Sequence, residues 1–353
     1  MNEKKEEKTL NLYPIDYPFE TLVLRIKADP PKTILDPDFQ RKYKWDKEGW
    51  ERASKFIESC LMRIPLPSCY FAEDENGRHL VIDGVQRLTT IKKFFDDEFA
   101  LEGLTTFKEL EGKKFSELEE YKTELESTTI RCIVLRKENP KQLIREIFSR
   151  LNQGAVAVSD QEIRHALYPG SLDKLLVELG QTEIIANFGL AKDKLDKDAK
   201  ETKISRESEE QVLRFLAFSD DINLENYNDK LGPYLDIYMD KNSNLEERGI
   251  RLLRNKFQFA IKNCVSVFGH DVFTNSTKNR KKQGLVYYDL LMPTIGLLDE
   301  NKVTTNAQKL RDAFNELCNS EEFKKTLSGG LQKKSSILKR RTLWAKHMGK
   351  AIS

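Results

Sequence analysis

The densest chemistry in this chain is the run Val81-Ile82-Asp83-Gly84-Val85-Gln86-Arg87-Leu88-Thr89-Thr90-Ile91. It sets a carboxylate, an amide and a guanidinium around one glycine. Leu80-Val81-Ile82 reads as the end of a buried strand, and Asp83-Gly84 as a turn. Leu88, Ile91, Phe94 and Phe95 then recur at helical spacing. Asp83 is expected to cap that helix, with its first backbone N–H groups making an electropositive spot for phosphate or carboxylate. Arg87 falls one turn before Ile91, on the apolar side. A guanidinium there needs a partner, because an unpaired buried charge is costly. The partner is either a structural one, with Asp83 the nearest candidate, or a ligand.

Two further segments pair polar groups with apolar faces. In Asp36-Pro37-Asp38-Phe39-Gln40-Arg41-Lys42-Tyr43-Lys44-Trp45, an extended chain puts Phe39, Arg41, Tyr43 and Trp45 on one side. Rings beside a guanidinium suit either a base-and-phosphate pocket or an aromatic mini-core with Arg41 stacked on Tyr43 or Trp45. Farther on, a helix with Leu143, Ile144, Ile147, Phe148 and Leu151 is expected to end by Asn152-Gln153-Gly154. Ser159-Asp160-Gln161-Glu162 matches a capping box that starts the next helix. A cap needs Ser159 and Glu162 but neither Asn152 nor Arg164, which stay as candidates.

The elements that must position these groups form a mixed N-terminal half. Helical spacing runs over 48–62, strands are expected near 69–71, 78–82 and 128–135, and Asn76-Gly77 marks a tight turn. After about Pro169 the periodicity is almost wholly helical, so we expect an α+β domain over 1–175 and a mostly α-helical domain over 176–353. The lysine- and aspartate-rich stretch 191–206 reads as a mobile loop or exposed helix end.

Composition narrows the function. A net charge of +2 on 353 residues excludes a general polyelectrolyte sleeve for nucleic acid, so such a role must come from local patches. No apolar run approaches the roughly 18 residues of a membrane span, and a charged start with five scattered cysteines points to a cytoplasmic protein with reduced thiols. The four histidines are equally dispersed, so no metal site built on His or Cys is expected.

Taken in order, the three segments resemble the N-terminal domain of the GmrSD-type restriction endonucleases. The matching stretches are Phe39-Gln40-Arg41-Lys42-Tyr43-Lys44-Trp45, Asp83 to Thr90, and Leu151-Asn152-Gln153-Gly154 with Glu162-Ile163-Arg164. The resemblance implies a ParB- and sulfiredoxin-like α+β domain whose turn-and-helix motif hydrolyses a nucleoside triphosphate in DNA restriction and anti-phage defence. It gives catalytic roles to Asp83, Gln86, Arg87 and Arg41. Nucleotide contacts fall to Gln40, Arg41, Gly84, Arg87, Asn152 and Arg164, with Mg²⁺ on Asp83. The family's first motif glutamine is Val85 here, which bears on turnover more than on binding.

Larger relatives carry a His-Asn-His nuclease module, and the C-terminal half has no histidine cluster to supply one. The expectation is therefore a nucleoside triphosphatase that depends on a nuclease or other defence subunit for cutting. The alternatives are a non-catalytic DNA-binding adaptor, or a metal-dependent DNA-nicking domain. DNA contact is expected from the late basic runs, chiefly Lys333, Lys334, Lys339, Arg340 and Arg341, with Lys278, Arg280, Lys281 and Lys282 before them.

Overall fold

A computed structural model describes residues 10–35, 43, 45–46, 49–151, 159–189, 206–219, 224–275 and 282–352. The chain divides into two compact units, Met1–Val158 and Ser159–Ser353. The division precedes residue 175, because the helix that opens at Ser159 packs with the later helices.

The first unit is built on a five-stranded mixed sheet in the order β1-β5-β3-β4-β2. Its strands are β1 (Leu12–Pro18), β2 (Thr33–Ile34), β3 (Cys69–Glu73), β4 (His79–Asp83) and β5 (Thr129–Leu135). β3 and β4 form the expected hairpin, whose turn holds Gly77 at φ +71°. Asp74 accepts the N–H groups of Asn76 and Arg78 there, at 2.9 and 2.8 Å. The apolar run of β4 is buried from His79 to Ile82, as a strand covered on both faces requires.

Helices α1 (Phe19–Lys27), α2 (Glu51–Leu61), α3 (Val85–Phe95) and α4 (Glu120–Ser127) bury Leu22, Ile57, Leu88, Ile91, Phe94 and Leu125 in the main core. A fifth, α5 (Lys141–Leu151), packs against β4. Between α2 and α4, the Glu58 carboxylate fastens the loop over Thr105–Phe107. Oε1 accepts the N–H groups of Thr105, Thr106 and Phe107 at 2.9, 2.6 and 3.1 Å. Burial alone would raise this carboxyl; the backbone donors outweigh it and hold the group below its ordinary range. Glu58→Gln keeps a carbonyl oxygen for these N–H groups and turns its amide towards Thr105 Oγ1, but removes the charge that strengthens the bonds, and is expected to cost about 1–2 kcal/mol in urea unfolding.

His79 opens β4 inside the unit, between the hydroxyls of Tyr13 at 3.3 Å and Tyr17 at 3.4 Å, with Arg25 at 3.5 Å. Burial first, and the Arg25 charge second, depress its pKa from 6.5 to about 4. Between those values the unfolded chain binds a proton that the folded chain does not. The stability from neutral His79 is therefore complete above pH 6.5 and is lost as pH falls through 4. The full span is worth about 3 kcal/mol. Urea titrations at pH 7.5 and pH 4 should show this loss in the wild type and a clearly smaller one in His79→Phe.

The second unit is mostly helical, and its described residues carry no strand beyond an isolated antiparallel bridge between Thr274 and Gln283. Its helices are α6 (Asp160–Leu167), α7 (Ser171–Gly180), α8 (Glu183–Ala186), α9 (Glu207–Phe218), α10 (Leu231–Asn242) and α11 (Glu247–Phe268). They continue with α12 (Leu285–Leu291), α13 (Glu300–Thr305), α14 (Ala307–Asn319), α15 (Glu321–Lys325) and α16 (Lys334–Ile352). Ser159 and Glu162 form the expected capping box on α6. Most of 191–206 lies outside the described residues. No described helix is long and apolar enough to cross a membrane, and all five cysteines are buried and unbridged.

Candidate functional site

The site begins where β4 ends. Gly84 is the N-cap of α3 and sits at φ +101°, in the left-handed region. A Cβ there would meet the Cys69 sulfur at 2.3 Å, so both backbone shape and the strand beneath require glycine. Asp83 does not cap the helix as expected, since α3 has no side-chain cap. Its carboxylate turns instead to Arg87, with Oδ2 accepting from Nη2 at 2.9 Å. Arg87 also donates to the carbonyls of Pro67 and, at 3.4 Å, Ser68. One guanidinium thus ties the end of β4, the entry to β3 and the first turn of α3.

The partner that an inward arginine needed is therefore Asp83, but the pair is not sealed in the core. Arg87 is 14% exposed and Asp83 37%. The ion pair uses Oδ2, and the three Arg87 bonds leave part of its five-donor fork for an anion. The N–H groups of Val85, Gln86 and Arg87 precede the first helical bond, from Leu88 N to Gly84 O at 2.9 Å. Val85 is half-buried and packs against the core.

The aromatic segment reaches this same helix. Tyr43 is buried, and its hydroxyl lies 2.7 Å from Thr90 Oγ1, which donates to the Gln86 carbonyl at 2.8 Å. Burial pushes the Tyr43 phenol up to about 12, so it remains a neutral hydrogen-bonding group. Lys93 lies over the Tyr43 ring at 5.6 Å, and Arg52 over Trp45 at 5.2 Å. Part of the segment is thus an aromatic core edged with cations. Gln40, Arg41 and Asn152 lie outside the described residues. A surface cavity of about 360 Å³ runs along Ile64–Leu66 between Arg63 and Glu124, and none of Asp83, Gly84, Gln86 and Arg87 lines it.

Arg164 sits in the second unit, inside its core at 1% exposure. Nε donates to Asp236 Oδ1 at 2.8 Å, while Nη1 donates to Glu210 Oε2 at 2.8 Å and Gln161 Oε1 at 3.1 Å. These partners make it a packing cation of the helical unit.

The basic tract is also divided by the fold. Arg340 is buried and donates to the carbonyls of Thr326 and Leu331, at 3.0 and 2.5 Å. Arg341 donates to Phe218 O at 2.6 Å, and Lys334 Nζ to Glu225 O at 2.6 Å. Only Lys333 and Lys339 of that expected set are exposed, with Lys346 and Lys350 following Lys339 on the same face of α16. Trp344 is core. Of the earlier run, Lys282 is exposed, and Lys278, Arg280 and Lys281 lie outside the described residues.

Residues 19–169 match the family model described as GmrSD restriction endonuclease, N-terminal domain. That stretch holds the Gly84 turn, the Tyr43 segment and α6, so the family indicated by the three motifs is the one found. The match links the chain to DNA restriction and defence. It covers less than half of the chain and ends at residue 169, so the helices from α7 onward lie outside it. No curated protein and no solved structure gives a significant match.

Proposed function

We propose that the first unit binds a nucleoside triphosphate at the head of α3 and hydrolyses it as part of a DNA restriction system. The observation that carries this reading is Arg87, drawn beneath a glycine-headed helix start by Asp83 and two carbonyls. The matched domain supplies the restriction context. The arrangement has no Walker A sequence, so phosphates would rest on helix N–H groups and Arg87 in a ParB- and sulfiredoxin-like frame.

Each residue has a definite task in this reading. The N–H groups after Gly84 bind phosphate oxygens, and Arg87 fixes their charge. Asp83 Oδ1 orients the attacking water. Gln86 lies one turn before Thr90, whose hydroxyl bonds its carbonyl and meets Tyr43, and Gln40 and Arg41 come shortly before Tyr43 in sequence. Arg41 offsets charge that develops in transfer. Mg²⁺ prefers one or two carboxylates with phosphate oxygens and water, which Asp83 and a bound triphosphate fit; when bound, the ion would neutralise phosphate charge. A nucleotide role for Asn152, and DNA contact through Lys333 and Lys339, complete the proposal, in a cytoplasmic protein that recruits a nuclease subunit.

A second reading is an adaptor that binds nucleotide as a switch without turning it over. Val85 favours it, because an apolar group packed on the core stands where the family places a polar one. Phosphate release from ATP, GTP, CTP and UTP with Mg²⁺, with and without DNA, separates the two. Release above background supports the enzyme and names its nucleotide. Saturable binding without release supports the switch, and absence of both removes the nucleotide reading.

A further inference from the structure

Although the histidines are dispersed in sequence, the second unit brings His165 of α6 beside Asp173 of α7 and Glu209 of α9. One donor atom from each lies within 4.8 Å of the other two. His165 Nδ1 is 2.8 Å from Asp173 Oδ1. The two carboxylates are buried, at 7% and 8% exposure, while the imidazole reaches solvent at 25%. A nitrogen and two oxygens from three helices is the donor chemistry of a borderline divalent cation.

Charge points the same way. Of the two buried carboxylates, Glu209 takes Arg206 Nη1 on both oxygens at 2.9 and 2.7 Å, while Asp173 faces His165. With His165 neutral, the cluster holds one surplus negative charge in a buried setting, which is costly. A proton on His165 or a cation among the three donors would balance the surplus.

Geometry admits the cation. Donors sharing one tetrahedral ion through bonds of about 2.1 Å stand about 3.4 Å apart, so a pair at the 4.8 Å limit must close by about 1.4 Å and the 2.8 Å His165–Asp173 pair must open by about 0.6 Å. Arg206 does not exhaust Glu209, because an ionised carboxylate offers about four lone-pair sites. It acts instead as the outer partner that fixes the carboxylate's direction.

We propose that His165, Asp173 and Glu209 form a divalent-cation site, for an ion such as Zn²⁺ or Mn²⁺, that ties α6, α7 and α9 together. Three protein ligands leave a further position for water. The site is independent of Asp83 and of the nucleotide reading.

The test is calorimetric titration of the metal-stripped full chain with Zn²⁺ and with Mn²⁺. One ion per chain is expected for at least one of them. Its affinity should fall at least tenfold in His165→Ala and in Asp173→Asn, and stay unchanged in Asp312→Asn, which alters an exposed carboxylate outside the cluster. Should a variant unfold, the His165 ring nitrogens of the wild type decide, since coordination shifts their resonances and abolishes their titration. Three results would overturn the site: no saturable binding, equal affinity in the His165 and Asp173 variants, or a His165 that titrates identically with and without metal. In the last case a proton supplies the missing charge.

Discussion

Arg87→Ala is expected to lower nucleoside-triphosphate phosphate release by at least about a hundredfold, the usual scale for one preorganised charge-stabilising group. The side chain does two jobs that fail together. It holds the Asp83 carboxylate at 2.9 Å, and in the proposed reading its remaining donors hold phosphate charge. It also bonds the Pro67 and Ser68 carbonyls, so the variant loses some stability, and a melting curve must accompany the assay. Arg87→Lys separates the roles, because lysine keeps the charge and loses the fork. A fork-dependent site leaves Arg87→Lys folded and nearly as slow as the alanine variant. If both variants hydrolyse at the wild-type rate once corrected for the folded fraction, Arg87 is a strut and the assignment of this turn is wrong.

The turn was legible because everything it needs is contiguous. An apolar run, a glycine and a helical stripe occupy 80–95, and local preference and burial agree there. The role of Asp83 was not legible, since capping and an i,i+4 ion pair both suit a carboxylate at that spacing. Tyr43 and Thr90 stand 47 residues apart, and no local pattern pairs them. Arg340 is a different case. It belongs to a linear run of charge, but it also shares a helical row with Ile337, Trp344 and Ala351, all buried. Periodicity carried that signal, whereas counting charges hid it. His165 meets Asp173 and Glu209 only after three helices have packed, so its dispersal in sequence gave no warning.

The same long-range logic governs Arg164, where the second large effect is expected: Asp236→Ala should destabilise the helical unit by about 3–5 kcal/mol. The guanidinium is 1% exposed and the Asp236 carboxylate 4%, so removing Asp236 strands a charge that water cannot reach. Glu210 remains at 2.8 Å, but its side chain is 29% exposed and its pull is partly screened. Arg164→Met should cost a similar amount, because it leaves Asp236 buried opposite a thioether. Combining Arg164→Met with Asp236→Ala removes both charges, and the double variant should cost clearly less than the sum of the singles. Urea unfolding of all four proteins measures the coupling; a double variant whose cost equals the sum of the singles contradicts a buried ion pair. The series also bears on function. If Arg164 contacts nucleotide, Arg164→Met weakens binding beyond what Asp236→Ala does at matched stability. Equal nucleotide affinity in the two variants would make this arginine a packing group, whose place in the family motif reflects the start of the helical unit rather than the chemistry at Gly84.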